Sequence, residues 1–112
     1  MNNENAREAN ISVGDFSKTP YGRYDVDGKA NASTFRDKIL APAFKNPEID
    51  KVNVYLDTVE DGYEYGSSFL EEAFVGLIRK SHVDAEVVRK KLNLVTEHYD
   101  YVLEVNEYLS KF

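Results

Sequence analysis

The sequence predicts an α/β fold: one domain with a mixed β-sheet of about four strands and about four helices packed on it. Three observations predict it. After a β-rich start, period-two apolar patterns alternate with helical ones. The 112 residues, 42% of them hydrophobic, suffice for one core. No internal repeat or low-complexity tract breaks the chain into smaller units.

Residues 1–9 are polar and read as a frayed or disordered N-terminus, so the domain is placed at residues 10–112. Ile11 and Val13 alternate with polar neighbours, which predicts a first strand to about Phe16. Asp27-Gly28 suits a tight hairpin turn, because both central residues of such a turn need positive φ. Ser33 is a candidate N-cap for a helix to about Phe44, with Phe35, Ile39, Leu40, Ala43 and Phe44 as its apolar stripe. Pro42 lacks a backbone N–H and should kink that helix or limit its last turn. Val52 to Asp57 is the clearest strand, with Val, Tyr and Leu on both faces. A helix from Ser68 to about Lys80 follows, carrying Phe69, Leu70, Ala73, Phe74, Leu77 and Ile78 on one broad face. Ser81 and Asp84 have the spacing of a capping-type start for a third helix with Val87, Val88 and Leu92. Leu92 to Thr96 reads as a short strand. His98 to Phe112 closes the chain as a helix with Val102, Val105, Leu109 and Phe112 inward.

Two adjacent serines, Ser67 and Ser68, stand where the loop after the clearest strand enters the best helix. Ser68 and Glu71 have the spacing of a capping box. In it the hydroxyl accepts from the Glu71 N–H and the carboxylate returns to the Ser68 N–H. Ser67 lies outside that box. It is either a small polar turn residue or a phosphoacceptor, since a phosphate at a helix start meets free N–H groups. Tyr63 and Tyr65 flank the serines on a glycine-bounded loop and are candidate contact residues, apolar in body and polar at the tip.

Three segments together resemble a known family. They are Gly22-Arg23-Tyr24, Ser33-Thr34-Phe35-Arg36 and Ser67-Ser68-Phe69-Leu70-Glu71-Glu72-Ala73-Phe74. The pattern is similar to the bacterial STAS-like domain family of unknown function. It is more distantly similar to the STAS domains of anti-sigma factor antagonists. The resemblance runs from about Ile11 to Leu94. It implies a STAS-type α/β fold and a noncatalytic, regulatory role through protein–protein interaction. It also implies a partner of the histidine-kinase-like ATPase class, an ATP-dependent serine kinase that acts as an anti-sigma factor. Alignment with the classical Asp-Ser-Ser-Gly-Leu pattern places Ser67 at the phosphoacceptor. Gly66 stands where that pattern has an acidic residue, and Phe69 where it has glycine. The expected interaction surface is therefore Tyr63, Tyr65, Gly66, Ser67, Ser68 and Phe69.

Other residues define the alternatives. Arg23 and Arg36 are candidates for clamping an anion or nucleotide, or for internal salt bridges to residues such as Asp27 or Asp57. Asp57, Glu60, Asp61 and Glu64 match no dedicated metal loop and read as a solvated acidic loop, so no metal is expected. Neither His82 nor His98 belongs to a metalloprotease pattern, no nucleophile elbow is present, and no base can be assigned to either serine. No enzymatic activity and no cofactor are expected. The net charge of −6 argues against direct nucleic-acid binding. That charge leaves room for an acidic inhibitor, of the kind found in mobile elements, that blocks a partner's nucleic-acid site. With no cysteine, no signal-peptide pattern and no run of ~18 apolar residues, a cytoplasmic location without membrane attachment is expected.

Overall fold

The structure is a computed structural model and describes residues 7–112. Strand β1, Glu8–Ser12, pairs in parallel with β2, Lys51–Tyr55. β2 pairs in parallel with β3, Leu92–Val95, so the sheet has three strands in the order β1-β2-β3. The register sorts side chains by chemistry. Ile11, Val54 and Leu94 stand in one row and belong to the hydrophobic core, as do Val52 and Leu92 in the next. The opposite face carries Asn10, Asn53 and Asn93 in another row.

That polar row is hydrogen-bonded throughout. Asn93 Nδ2 donates to Asn53 Oδ1 at 2.9 Å, and Asn53 Nδ2 donates to Asn10 Oδ1 at 2.9 Å and to Glu8 Oε1 at 2.7 Å. Asn53 is buried, so these bonds satisfy an amide that would otherwise cost about 1–3 kcal/mol. Parallel sheets usually have both faces covered by apolar residues. Here the amide ladder makes one face polar, which the expectation of two apolar faces did not capture.

The mixed, roughly four-stranded sheet is corrected to three parallel strands, packed with five helices among the described residues. Two expected strand segments fold otherwise. Val13–Phe16 forms a single helical turn, α1, instead of extending β1. The Gly14 backbone there meets Thr58: an added Cβ would lie 2.0 Å from the Thr58 carbonyl oxygen, and Gly14 N donates to Thr58 Oγ1. The Asp27-Gly28 hairpin is absent. Asp25–Asp27 is a 3₁₀ turn, and the Asp27 carboxylate folds back to accept from the backbone N–H groups of Arg23 and Tyr24. Gly22 has φ +86°, and a Cβ on it would strike the Asp27 side chain at 2.3 Å. Of the expected frayed segment, residues 1–6 lie outside the described residues, whereas Glu8 and Ala9 belong to β1.

Helix α2 spans residues 32–45 and is capped by Asn31, not Ser33. The Asn31 carbonyl accepts from Thr34 N at 2.9 Å, while its amide donates to Gly28 O at 2.8 Å. An amide can do both at once, binding the preceding loop to the helix start, which a serine hydroxyl cannot match as well. The middle of α2, Arg36–Leu40, is π-helical, with Ala41 N donating to Arg36 O. The widened turn lies directly before Pro42 and absorbs the break in the α pattern that its missing N–H dictates.

Helix α3 spans residues 67–79 and also widens, at Glu71–Val75. Phe69, Leu70, Phe74 and Leu77 are buried against Phe35, Phe44, Val52 and Val54. Each such side chain contributes roughly 1.5–3 kcal/mol by leaving water. Helix α4, Ala85–Lys91, leads into β3, and α5, Tyr99–Leu109, closes the chain. Val105 and Leu109 point inward as expected, but Phe112 lies past the end of α5 and is exposed.

Candidate functional site

The loop from β2 to α3 is held by aromatic packing. The Tyr65 hydroxyl donates to Leu56 O at 2.6 Å, and Tyr65 N donates to the Tyr101 hydroxyl at 3.1 Å. Its ring packs edge-on against Tyr63 and Tyr101, with centroids 5.6 and 5.2 Å apart. Tyr65 is only 8% exposed, and burial pushes its phenol pKa well up. Rings continue from Tyr65 through Phe69 and Phe35 to Phe16, each within about 6 Å of the next. Tyr65 and Phe69 are therefore core residues, and the expected contact surface is corrected at both. Tyr63 is half-buried, while Gly66, Ser67 and Ser68 are exposed.

Gly66, not Ser68, is the N-cap of α3, and its carbonyl accepts from Phe69 N and Leu70 N. The capping box does not form. The Glu71 carboxylate, its expected second half, instead accepts from Arg23 Nη2 at 2.9 Å. Both serine hydroxyls are thereby free of any capping bond on the first turn of α3. On α5 the Tyr108 hydroxyl donates to Glu104 Oε2 at 2.6 Å. With Arg23, Tyr63 and Asp27, Ser68 lines a cavity of about 310 Å³ between residues 20–27 and the start of α3.

The two arginines are internal partners of α3, with different carboxylates from those expected. Arg36 is 4% exposed, and its Nη1 donates to Glu72 Oε2 at 2.6 Å. Its Nε donates to Ser81 Oγ and Asp37 Oδ1, both at 2.9 Å. Ser81 is thus engaged with Arg36 and Asp37, and does not cap α4, where Asp84 takes the N-cap position. Arg36 meets Glu72 where the two π-helical segments face each other. Gly76 permits the approach: a Cβ there would lie 2.6 Å from Arg36 Nη1. Lys80 joins from the other side, 2.9 Å from Glu72, with its ammonium 4.4 Å from the Tyr24 ring centroid. Burial works to raise the Glu72 pKa, but hydrogen bonds from Lys80 and Arg36 and their charges overcome it and hold it below 4.5. Arg23 is more open, with a 35% exposed side chain, and its Nη1 stands 3.7 Å from Glu72 Oε1. Of the carboxylates first considered, Asp27 takes Arg23's backbone N–H. Asp57 accepts from Thr96 Oγ1 and Glu97 N and fastens the end of β3.

The acidic loop residues Asp57, Glu60 and Asp61 line a second cavity, of about 240 Å³, with Glu97, His98 and Tyr101. Among the described residues no group of three or more His, Cys, Asp or Glu side chains is placed to hold a metal. Nor is any helix there long and apolar enough to cross a membrane.

Tyr21, Tyr24 and Val26 extend the surface in a way the sequence reading missed. Tyr21 is 68% and Val26 89% exposed, and Tyr21 lines the Ser68 cavity. The available signal was three large apolar residues in a stretch that has Pro, Gly and Asp but no periodicity to bury them.

No curated protein and no solved structure matches the chain. Residues 31–98 match the model of a STAS-like domain of unknown function. The match takes in α2, β2, both serines and β3, but neither Arg23 nor α5. Since it spans well over half of the 112 residues, the chain belongs to the family of STAS-like domains of unknown function.

Proposed function

We propose that this protein is a non-enzymatic regulatory module that docks a protein partner on the start of α3 and the adjoining 20–28 loop. The partner class is an ATP-dependent serine kinase of the histidine-kinase-like, anti-sigma-factor type, and Ser67 is the phosphoacceptor. Such a partner places the module in the cytoplasm.

One observation carries the reading. Ser67 and Ser68 are exposed at a helix start, free of capping bonds, beside a loop that exposes Tyr21, Tyr24 and Val26. Exposed aromatic residues next to a modifiable hydroxyl suit an interface whose affinity a phosphate would change. The alternative of an anion sensor is disfavoured by Arg36, whose guanidinium is buried and paired.

The test is incubation with ATP and serine kinases encoded beside the gene, read by intact mass and peptide mapping. The expected result is one added phosphate, mapped to Ser67, and a change in kinase binding. No added phosphate, or phosphate mapped elsewhere, overturns the proposal.

A further inference from the structure

The cavity of about 240 Å³ lies at the carboxyl ends of two parallel strands. Asp57 stands two residues past β2 and Glu97 two residues past β3, and both line it. Crevices at the carboxyl ends of parallel strands are where α/β sheets hold small ligands. Its walls include three tyrosine rings, Tyr63, Tyr65 and Tyr101. Tyr65 is the buried one. The planes of Tyr63 and Tyr101 stand at 88° and 86° to it, with centroids 5.6 and 5.2 Å away. These walls are fixed before any ligand arrives, because Tyr65 bonds both Leu56 O and the Tyr101 hydroxyl. The family match ends at residue 98, so it does not include the wall that Tyr101 supplies from α5.

The rim is acidic. Glu60 and Asp61 line the cavity with Asp57 and Glu97, and no lysine or arginine among the described residues does. None of the ion pairs among the described residues involves Glu60, Asp61 or Glu97. Asp57 alone is engaged, by Thr96 Oγ1 and Glu97 N. The carboxylates do not converge on one point: no three of them are placed to hold a metal ion. Negative charge spread around aromatic walls suits a wider cation, one whose charge is shared over several atoms.

We infer that this cavity binds a small organic cation with an alkylguanidinium or alkylammonium head. The tyrosine rings attract the head through their faces, and the carboxylates of Glu60 and Glu97 accept its N–H groups. The rings set the preference: an acidic loop alone draws any cation loosely, whereas aromatic walls favour an organic head over a hydrated metal ion. Neither Ser67 nor Ser68 lines this cavity, so the inference stands apart from the kinase reading.

The test titrates the full chain with butylguanidinium and butylammonium, read by calorimetry and tyrosine fluorescence, against potassium chloride at equal ionic strength. Saturable binding at one site is expected, with a Kd of about 1 mM or tighter, which a ligand this small can reach. Potassium chloride should give no saturable response. Glu60→Gln, on an exposed residue, is expected to weaken binding about threefold. Glu64→Gln makes the same charge change on the same loop but outside the cavity, and should leave affinity unchanged. Tyr63→Leu is expected to weaken binding about threefold or more. A blocked Gly-Arg-Gly peptide carries the same head on a chain. Whichever of the free cation and the peptide binds more tightly identifies the source of the head. The inference is overturned if neither binds above the potassium control. It is also overturned if Glu64→Gln weakens binding as much as Glu60→Gln, or if a folded Tyr63→Leu binds as the wild type does.

Discussion

Glu72 ties α3 to α2 through an ion pair with Arg36. Its carboxylate is buried and meets Arg36 at 2.6 Å and Lys80 at 2.9 Å. Removing one partner of a buried pair leaves the other charge unmatched, at a typical cost of 3–5 kcal/mol. Arg36 keeps Asp37, so Glu72→Gln is expected to cost about 3 kcal/mol at pH 7, read by urea unfolding. The cost depends on pH in a definite direction. Glu72's folded pKa lies below 4.5, so its stabilisation is fully present above that value and is lost as pH falls through the folded pKa. The gap between wild type and Glu72→Gln should narrow between pH 7 and pH 3. A gap of constant size would show that the carboxylate is not the source of the stability. Ser68 is the opposite case. Because it caps nothing, Ser68→Ala should change stability by less than about 0.5 kcal/mol, against the ~1 kcal/mol of a lost cap.

Among elements, α2 shows how a cap and an imino acid divide the shaping of one helix. Asn31 starts it and holds the preceding loop; the widened turn before Pro42 lets it continue to Lys45. Asn31→Ala removes the acceptor for Thr34 N and the donor to Gly28 O in a fully buried position. A loss of about 2 kcal/mol is expected by thermal or urea unfolding, while Ser33→Ala should be nearly neutral. Equal effects at the two positions would return the cap to Ser33. In the sheet, Asn53→Asp exchanges a donor for a charge beside Glu8 and the Asn10 carbonyl. It is expected to cost about 2 kcal/mol at pH 7 and to recover part of that in acid, as the new carboxyl takes up a proton.

Across the whole molecule, α/β class, family and the long helices were legible because apolar periodicity and the Ser67-Ser68-Phe69 segment are local signals. Helix α3 shows this well: Phe69, Leu70, Phe74 and Leu77 announce its buried face. What could not be read is where polar atoms find partners. Glu71 is three residues from Ser68 and invites a capping box, yet it bonds Arg23, 48 positions away in the chain. Ser81 invites a cap and instead bonds Arg36, 45 positions away. Tyr65 resembles a contact residue until Leu56 O and Tyr101 enclose it. In each case a tertiary partner displaced a local one, and spacing alone carries no information about such partners. The Asn10–Asn53–Asn93 ladder is a second kind of miss, since single asparagines reveal themselves as a row only once strand register is known.

That row has one further effect. Amides neither gain nor lose protons in ordinary acid, so the cross-strand bonds from Asn93 through Asn53 to Asn10 keep their strength where Glu72 fails. Mild acidification should therefore loosen the packing of α2 on α3 before it parts the strands. Amide exchange along β2 would slow-mark the last region of the molecule to open.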